Sequence, residues 1–171
     1  FFGNGSKWDI TIDYSEEDRP LGTMGPIKNI DNLPENFLVM NGDIVSDLNY
    51  GAFYNDHVLE NNIFTISSFE RDEQVDYGVL TVKDNTLKEL QEKPSIKYEV
   101  SMGIYMLSNS VLDYIPDDTE FGFDQLMHRL IKSDKKVSVN KHTDYWLDIG
   151  RPSDYQLAIS DYESKIKDLL K

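Results

Sequence analysis

The apolar positions fall into short runs separated by turn residues. Phe37-Leu38-Val39-Met40 is an unbroken apolar run that ends at Asn41-Gly42-Asp43. Such a run, closed by a turn, predicts a strand buried on both faces, as in a parallel sheet. Tyr50, Phe53, Tyr54, His57 and Val58 then recur at helical spacing, which predicts an amphipathic helix with His57 in its apolar stripe. Ile63 to Phe69 is rich in β-branched and aromatic residues and predicts the next strand. Upstream, Asp9 to Tyr14 alternates polar and apolar residues as a half-buried strand does. Pro26 opens a short helix whose face carries Ile27, Ile30 and Leu33. Strand, helix, strand, helix, strand is the α/β order, with crossover connections and a largely parallel sheet.

From Asp76 the texture changes. Tyr77 to Val82 and Leu87 to Gln91 pair as a hairpin around Asp84-Asn85, and the second strand ends at Glu92-Lys93-Pro94. Ser95 to Glu99 reads as a polar connection. Val100 to Leu107 is strand-like, with Gly103 marking a bulge or a close approach to a ligand. Ser110 caps a short helix through Ile115, and Leu126, Met127, Leu130 and Ile131 mark the apolar face of another. Val137 to Asn140 is a short strand. Tyr145-Trp146-Leu147 then runs into Asp148-Ile149-Gly150, a second carboxylate placed behind an apolar run. Ser153 or Asp154 caps a closing helix with a stripe of Tyr155, Ala158, Ile159, Tyr162, Ile166 and Leu169.

Composition narrows the classes. A chain of 171 residues suits one domain with a real core. Asp and Glu number 31 against 17 Lys and Arg, and no basic run offers a footprint for nucleic acid or an anionic membrane. Small phosphorylated ligands stay open, since they need only a local lysine and a metal ion. Cysteine is absent, which rules out disulfides and thiolate sites. No apolar stretch approaches the roughly 18 residues of a membrane span, and no signal-peptide pattern appears, so a cytoplasmic protein is expected.

The candidate chemistry sits at strand ends, where open α/β sheets bind their ligands. Asp43 and Asp148 lie far apart in sequence, yet both close strands and can converge on one hard, oxygen-preferring cation. Asn41-Gly42-Asp43 taken alone reads equally well as a tight turn. Leu21-Gly22-Thr23 lies in a glycine- and proline-rich loop entering a helix, whose free N–H groups suit an anion or a base edge, or which simply connects. Lys93 beside Glu92 is either a phosphate partner or a solvated pair.

Six segments together carry a resemblance: Pro20-Leu21-Gly22-Thr23-Met24-Gly25, Asn41-Gly42-Asp43, Tyr77-Gly78-Val79, Glu92-Lys93-Pro94, Gly103-Ile104-Tyr105 and Trp146-Leu147-Asp148-Ile149-Gly150. In that order and spacing, from Phe2 to about Leu157, the chain resembles the sugar-1-phosphate nucleotidylyltransferases (nucleotide-sugar pyrophosphorylases). The resemblance implies an α/β, Rossmann-like fold of the nucleotide-diphospho-sugar transferase type. Its sheet would be mixed, mostly parallel, with helices on both faces. It further implies that Leu21, Gly22 and Thr23 lie against the nucleotide base and that Asp43 and Asp148 hold Mg²⁺. Gly78 and Gly103 would let the backbone meet substrate, Glu92 would bind sugar hydroxyls, and Lys93 would neutralise the sugar phosphate. The implied reaction is nucleotidyl transfer from an NTP to a sugar-1-phosphate, releasing pyrophosphate. Homo-oligomerisation stays open.

The departures from the pattern are informative too. The family's opening strand and glycine-rich loop are not found, and the chain begins Phe1-Phe2-Gly3. Residues 1–171 are therefore expected to be the C-terminal majority of one catalytic domain, incomplete at the N-terminus. Alone they should be inactive and either weakly stable or self-associating. Met24-Gly25-Pro26 replaces the commoner Ala-Gly-Ala, and Arg151 stands where threonine is common, closer to the guanylyl- and cytidylyl-transferring branches. Two alternatives remain. One is a noncatalytic sugar-nucleotide-binding regulatory module. The other is a metal-dependent glycosyltransferase, which would normally carry an Asp-X-Asp motif in place of Asn41-Gly42-Asp43.

Overall fold

A computed structural model describes residues 1–162 and 164. Its strands are β1 (Asn36–Met40), β2 (Ile44–Ser46), β3 (Phe64–Gln74), β4 (Val79–Lys83), β5 (Thr86–Gln91), β6 (Ser95–Ser108), β7 (Val137–His142) and β8 (Trp146–Asp148). The α-helices are α1 (Tyr50–Leu59), α2 (Phe123–Lys132) and α3 (Pro152–Asp161), and short 3₁₀ turns occupy Ser6–Trp8, Gly25–Asn29 and Asn109–Tyr114. The main sheet runs β1-β6-β3-β7. β6 is antiparallel to both β1 and β3, and β3 is parallel to β7, so three strands run one way and β6 opposes them. This is the mixed sheet expected, most of its strands sharing one direction. β2 pairs with β8, and β4 with β5, as two separate antiparallel ribbons.

β6 explains why both faces are covered. Its side chains alternate across the sheet. Met102, Ile104 and Met106 pack with Leu48 and with Phe53 of α1. Tyr105 and Leu107 point the other way, toward Phe37, Phe64 and the α2 residues Leu126 and Leu130. Burying each such side chain contributes about 1.5–3 kcal/mol. α1 begins where the Asn49 side chain accepts from the Ala52 N–H at 2.9 Å. α2 begins where Gln125 Oε1 accepts from the Gly122 N–H at 2.7 Å. The hairpin turn at Asp84-Asn85 holds both residues at positive φ, the conformation a tight two-residue hairpin turn requires and Asn and Asp tolerate.

Several expectations change. β1 is an edge strand, not one buried on both faces: Phe37 is buried, while Leu38 and Met40 are 40% and 44% exposed. Asp9–Tyr14 forms no strand, because no ladder reaches it. It is held instead by a few contacts back to the Gly3-Asn4-Gly5 turn, including Tyr14 Oη donating to Gly3 O at 2.7 Å. Ser95–Glu99 is not a connection but the first part of β6. It pairs with Glu70–Gln74 to make an arm whose two faces meet solvent, which is why its side chains are polar. The helix expected after Pro26 is one short 3₁₀ turn with Ile30 outside it. Arg151, not Ser153 or Asp154, is the residue before α3, and Pro152 takes its first turn. Tyr155, Ile159 and Tyr162 of the stripe are exposed. Ile166 and Leu169 lie outside the described residues.

Candidate functional site

Asp43 and Asp148 meet because β2 and β8 form a short ladder. Ile44 pairs with Asp148 and Ser46 with Trp146, and the Ile149 N–H donates to Asp43 O at 2.8 Å. Gly150 lies between the two carboxylates. A Cβ placed there would stand 3.0 Å from Asp148 Oδ1 and 3.1 Å from Asp43 Oδ2. The two oxygens are therefore no more than about 6.1 Å apart. Asp148 Oδ1 also accepts from the Gly150 N–H at 2.9 Å, which orients its carboxylate. Among the described residues no cluster of three or more His, Cys, Asp or Glu side chains could cage a metal. Two carboxylates with room for water and phosphate oxygens is a donor set that fits Mg²⁺, which rarely takes an all-protein cage.

The ladder is buttressed from behind. Asp47 Oδ1 accepts from the Tyr145 N–H at 2.8 Å and lies 2.7 Å from His142 Nε2, clasping the end of β7 to β8. Trp146 Nε1 donates to Met102 O at 3.0 Å, and its ring packs on Phe69 with centroids 5.5 Å apart. This clasp was not anticipated from the sequence, because its members lie 95 and 98 residues apart.

Gly103 sits at φ +75°, and a Cβ there would come within 2.8 Å of Asn41 Nδ2. The Asn41 N–H donates to Gly103 O at 2.9 Å. In this structure the bare glycine thus makes room for the asparagine of the Asn41-Gly42-Asp43 turn. Gly42 has open space where its side chain would be. Gly78 and Glu92 are also neighbours: a Cβ on Gly78 would lie 3.0 Å from Glu92 Oε2. Lys93 follows with φ +47°, and its carbonyl accepts from Gln74 Nε2, which ties the base of the hairpin to the arm.

Leu21-Gly22-Thr23 is zipped to a different segment. Phe121 N–H donates to Leu21 O at 2.9 Å, Phe121 O accepts from Met24 N–H at 3.0 Å, and Phe123 N–H donates to Thr23 Oγ1 at 3.0 Å. Gly22 is at φ +76° with Phe121 O only 2.7 Å from where its Cβ would be, so no other residue fits. This loop packs with the α2 layer through Met24, whereas the carboxylate ladder packs with the α1 layer through Ile44 and Trp146. The structure brings together Asp43 with Asp148, Asn41 with Gly103, and Gly78 with Glu92. The Leu21–Thr23 loop is braced separately, by Phe121 and Phe123.

A cleft of about 480 Å³ opens beside Asp148. It is lined by Arg71 and Tyr98 of the arm and by Trp146, Arg151 and Asp154. The Arg71 guanidinium lies 4.8 Å from the centre of the Trp146 ring. Arg71 and Tyr98 carried no signal in the sequence, since the cleft forms between strands remote from one another. Arg151 was visible beside Asp148-Ile149-Gly150.

Residues 1–165 match the profile of the nucleotidyl transferase family. The chain is 31% identical over 170 residues to the rice (Oryza sativa subsp. japonica) protein named "Probable mannose-1-phosphate guanylyltransferase 2", covering 94% of this chain and 47% of that protein. It is 29% identical over 172 residues to the mannose-1-phosphate guanylyltransferase catalytic subunit beta of Dictyostelium discoideum, covering 94% of this chain and 46% of that one. The chain spans about half the length of the curated relatives it matches. Among solved structures, HddC from Yersinia pseudotuberculosis in complex with GMP-PN superposes with a TM-score of 0.65 at 28% identity. That match covers 89% of this chain and 67% of HddC.

Proposed function

Because the chain belongs to the nucleotidyl transferase family, we propose that it serves an enzyme transferring a nucleotidyl group from an NTP to a sugar-1-phosphate. The observation that carries this reading is the convergence of Asp43 and Asp148 across Gly150, two sequence-remote carboxylates with no third acidic or histidine partner among the described residues. The guanylyltransferase names of the relatives and the GMP-PN in the HddC structure favour GTP as the donor and a hexose-1-phosphate as the acceptor.

In this mechanism an oxygen of the sugar phosphate attacks the α-phosphorus of the NTP in line. The bond from that phosphorus to the bridging oxygen breaks, and pyrophosphate leaves. Little covalent help is needed, so catalysis rests on positioning and charge. Asp43 and Asp148 would hold Mg²⁺, which supplies positive charge against the reacting phosphates. Lys93 adds a fixed cation on the acceptor phosphate, and Glu92, beside the bare Gly78, accepts hydrogen bonds from sugar hydroxyls. The Leu21–Thr23 loop, braced by Phe121–Phe123, lies against the base. A cytoplasmic location belongs to this reading.

The test uses the protein in its full length, the four NTPs and dTTP, a panel of sugar-1-phosphates and Mg²⁺, with pyrophosphate release as the readout. One NTP–sugar pair is expected to dominate, and Asp43→Ala and Asp148→Ala should each lower its rate by about 100-fold or more. No release from any pair, together with measurable binding of a nucleotide-sugar, would point instead to a noncatalytic regulatory module.

A further inference from the structure

We propose that Arg71 and Arg151 together grip the phosphate of the sugar-1-phosphate, a role that rests on the nucleotidyl-transfer reading above. Both line the cleft beside Asp148, Arg71 from the arm of β3 and Arg151 from the turn that leads from Gly150 into α3. The chain carries a formal charge of −14, and among the cleft's lining residues Arg71 and Arg151 are the two cations, set beside the carboxylates Asp72, Glu73, Asp148 and Asp154.

Their hydrogen-bonding capacity is not spent inside the molecule. Among the described residues neither arginine takes part in an ion pair. The acids next to Arg71 are already engaged. Asp72 accepts from Ser95 Oγ, and Glu73 Oε2 accepts from Tyr98 Oη at 2.6 Å. Arg71 is held in place over the Trp146 ring at 4.8 Å, and Trp146 is itself fixed by its bond to Met102 O. Stacking on an aromatic face leaves the edge of a guanidinium free, and that edge matches two phosphate oxygens at once.

Charge and shape select the acceptor rather than the triphosphate. Arg71 and Arg151 would share a phosphate monoester of about −2 with the Lys93 cation, whereas Asp72, Glu73 and Asp154 around the same cleft would repel a more highly charged chain. Those carboxylates, with the ring of Tyr98, suit a ring carrying many hydroxyls. A cleft of about 480 Å³ falls in the size range of small-molecule sites.

The experiment compares full-length wild type with Arg71→Met, Arg151→Met and the corresponding lysine variants. In the pyrophosphate assay each methionine variant should raise the KM for the sugar-1-phosphate about tenfold or more. The KM for the NTP should stay within about twofold and kcat should change little, the pattern of lost ground-state and transition-state binding in equal measure. Lysine variants should fall between, keeping the charge but losing the fork. Both side chains are exposed, so thermal melts should match wild type. An unchanged sugar-1-phosphate KM, or a rise confined to the NTP, overturns the assignment.

Calorimetric binding of mannose-1-phosphate, with free mannose as the control, separates this assignment from the underlying reading. Arg-dependent binding of the phosphate ester by a wild type that releases no pyrophosphate would sink the transferase reading and leave the grip standing. Turnover with equal affinity in wild type and double methionine variant would do the reverse. Neither turnover nor binding would remove both.

Discussion

Gly150 sets the spacing of the two carboxylates, and a single methyl group there tests the site without touching either acid. An alanine Cβ would press on Asp148 Oδ1 and Asp43 Oδ2 together, so both carboxylates would have to shift by a few tenths of an ångström. Gly150→Ala is therefore expected to raise the Mg²⁺ concentration for half-maximal activity by about tenfold, a shift of roughly 1.4 kcal/mol in apparent metal affinity. Gly42→Ala is the control for stability. Nothing lies within 4 Å of its added carbon, and its melting free energy should stay within about 0.5 kcal/mol of wild type. A Mg²⁺ titration unmoved by Gly150→Ala would count against Asp43 and Asp148 as the proposed metal ligands. Asp43 and Asp148 were legible in the sequence because each follows an apolar run and precedes or adjoins a glycine. The spacer role of Gly150 was not, since it depends on how two distant strands pair.

At the scale of elements, α1 and β3 share a buried polar contact with a consequence for pH. His57 is fully buried, with Nδ1 2.8 Å from Thr65 Oγ1 and no partner for Nε2 among the described residues. Burial pushes its pKa below the ordinary 6.5, because the charged ring would lose its hydration. The unfolded chain then takes up a proton near pH 6.5 that the folded chain refuses, so stability drops as pH falls below that value. Denaturant melts between about pH 8 and 5.5 should show this loss, and His57→Leu should flatten it. A slope identical in the two proteins would assign the acid sensitivity to other groups. The same elements show what sequence patterns convey. α1, α2, β1, β7 and the β4–β5 hairpin follow from period and turn chemistry. The arm of β3 and β6 does not, because a two-stranded ribbon wetted on both faces has no apolar stripe to betray it. Asp9–Tyr14 shows the converse: alternation is present, but among the described residues it pairs with no strand.

These 171 residues together form an anion that is proposed to collect anionic substrates. With a formal charge of −14, its long-range field opposes the approach of both an NTP and a sugar phosphate. Added monovalent salt screens that field over about 10 Å at 0.1 M. Catalytic efficiency should therefore rise as salt goes from about 0.02 to 0.1 M, the opposite of an enzyme that steers its substrates by charge. A steady fall over that range would show that the local cations outweigh the overall balance. The architecture as a whole was readable as α/β with helices on both faces, because β6 and the helices beside it carry clear alternation. The edge position of β1 was not readable, since its apolar run looks the same whether one face or two are covered. The three-residue ladder of β2 and β8 has a last implication, for the order of events during synthesis. Asp43 leaves the ribosome 105 residues ahead of Asp148, and the clasp that braces the ladder joins Asp47 to His142 and Tyr145, which are made almost as late. A nascent chain stalled anywhere between them carries half of the pair and no cleft, so capacity for the proposed chemistry switches on only when nearly all of these residues have been made and folded.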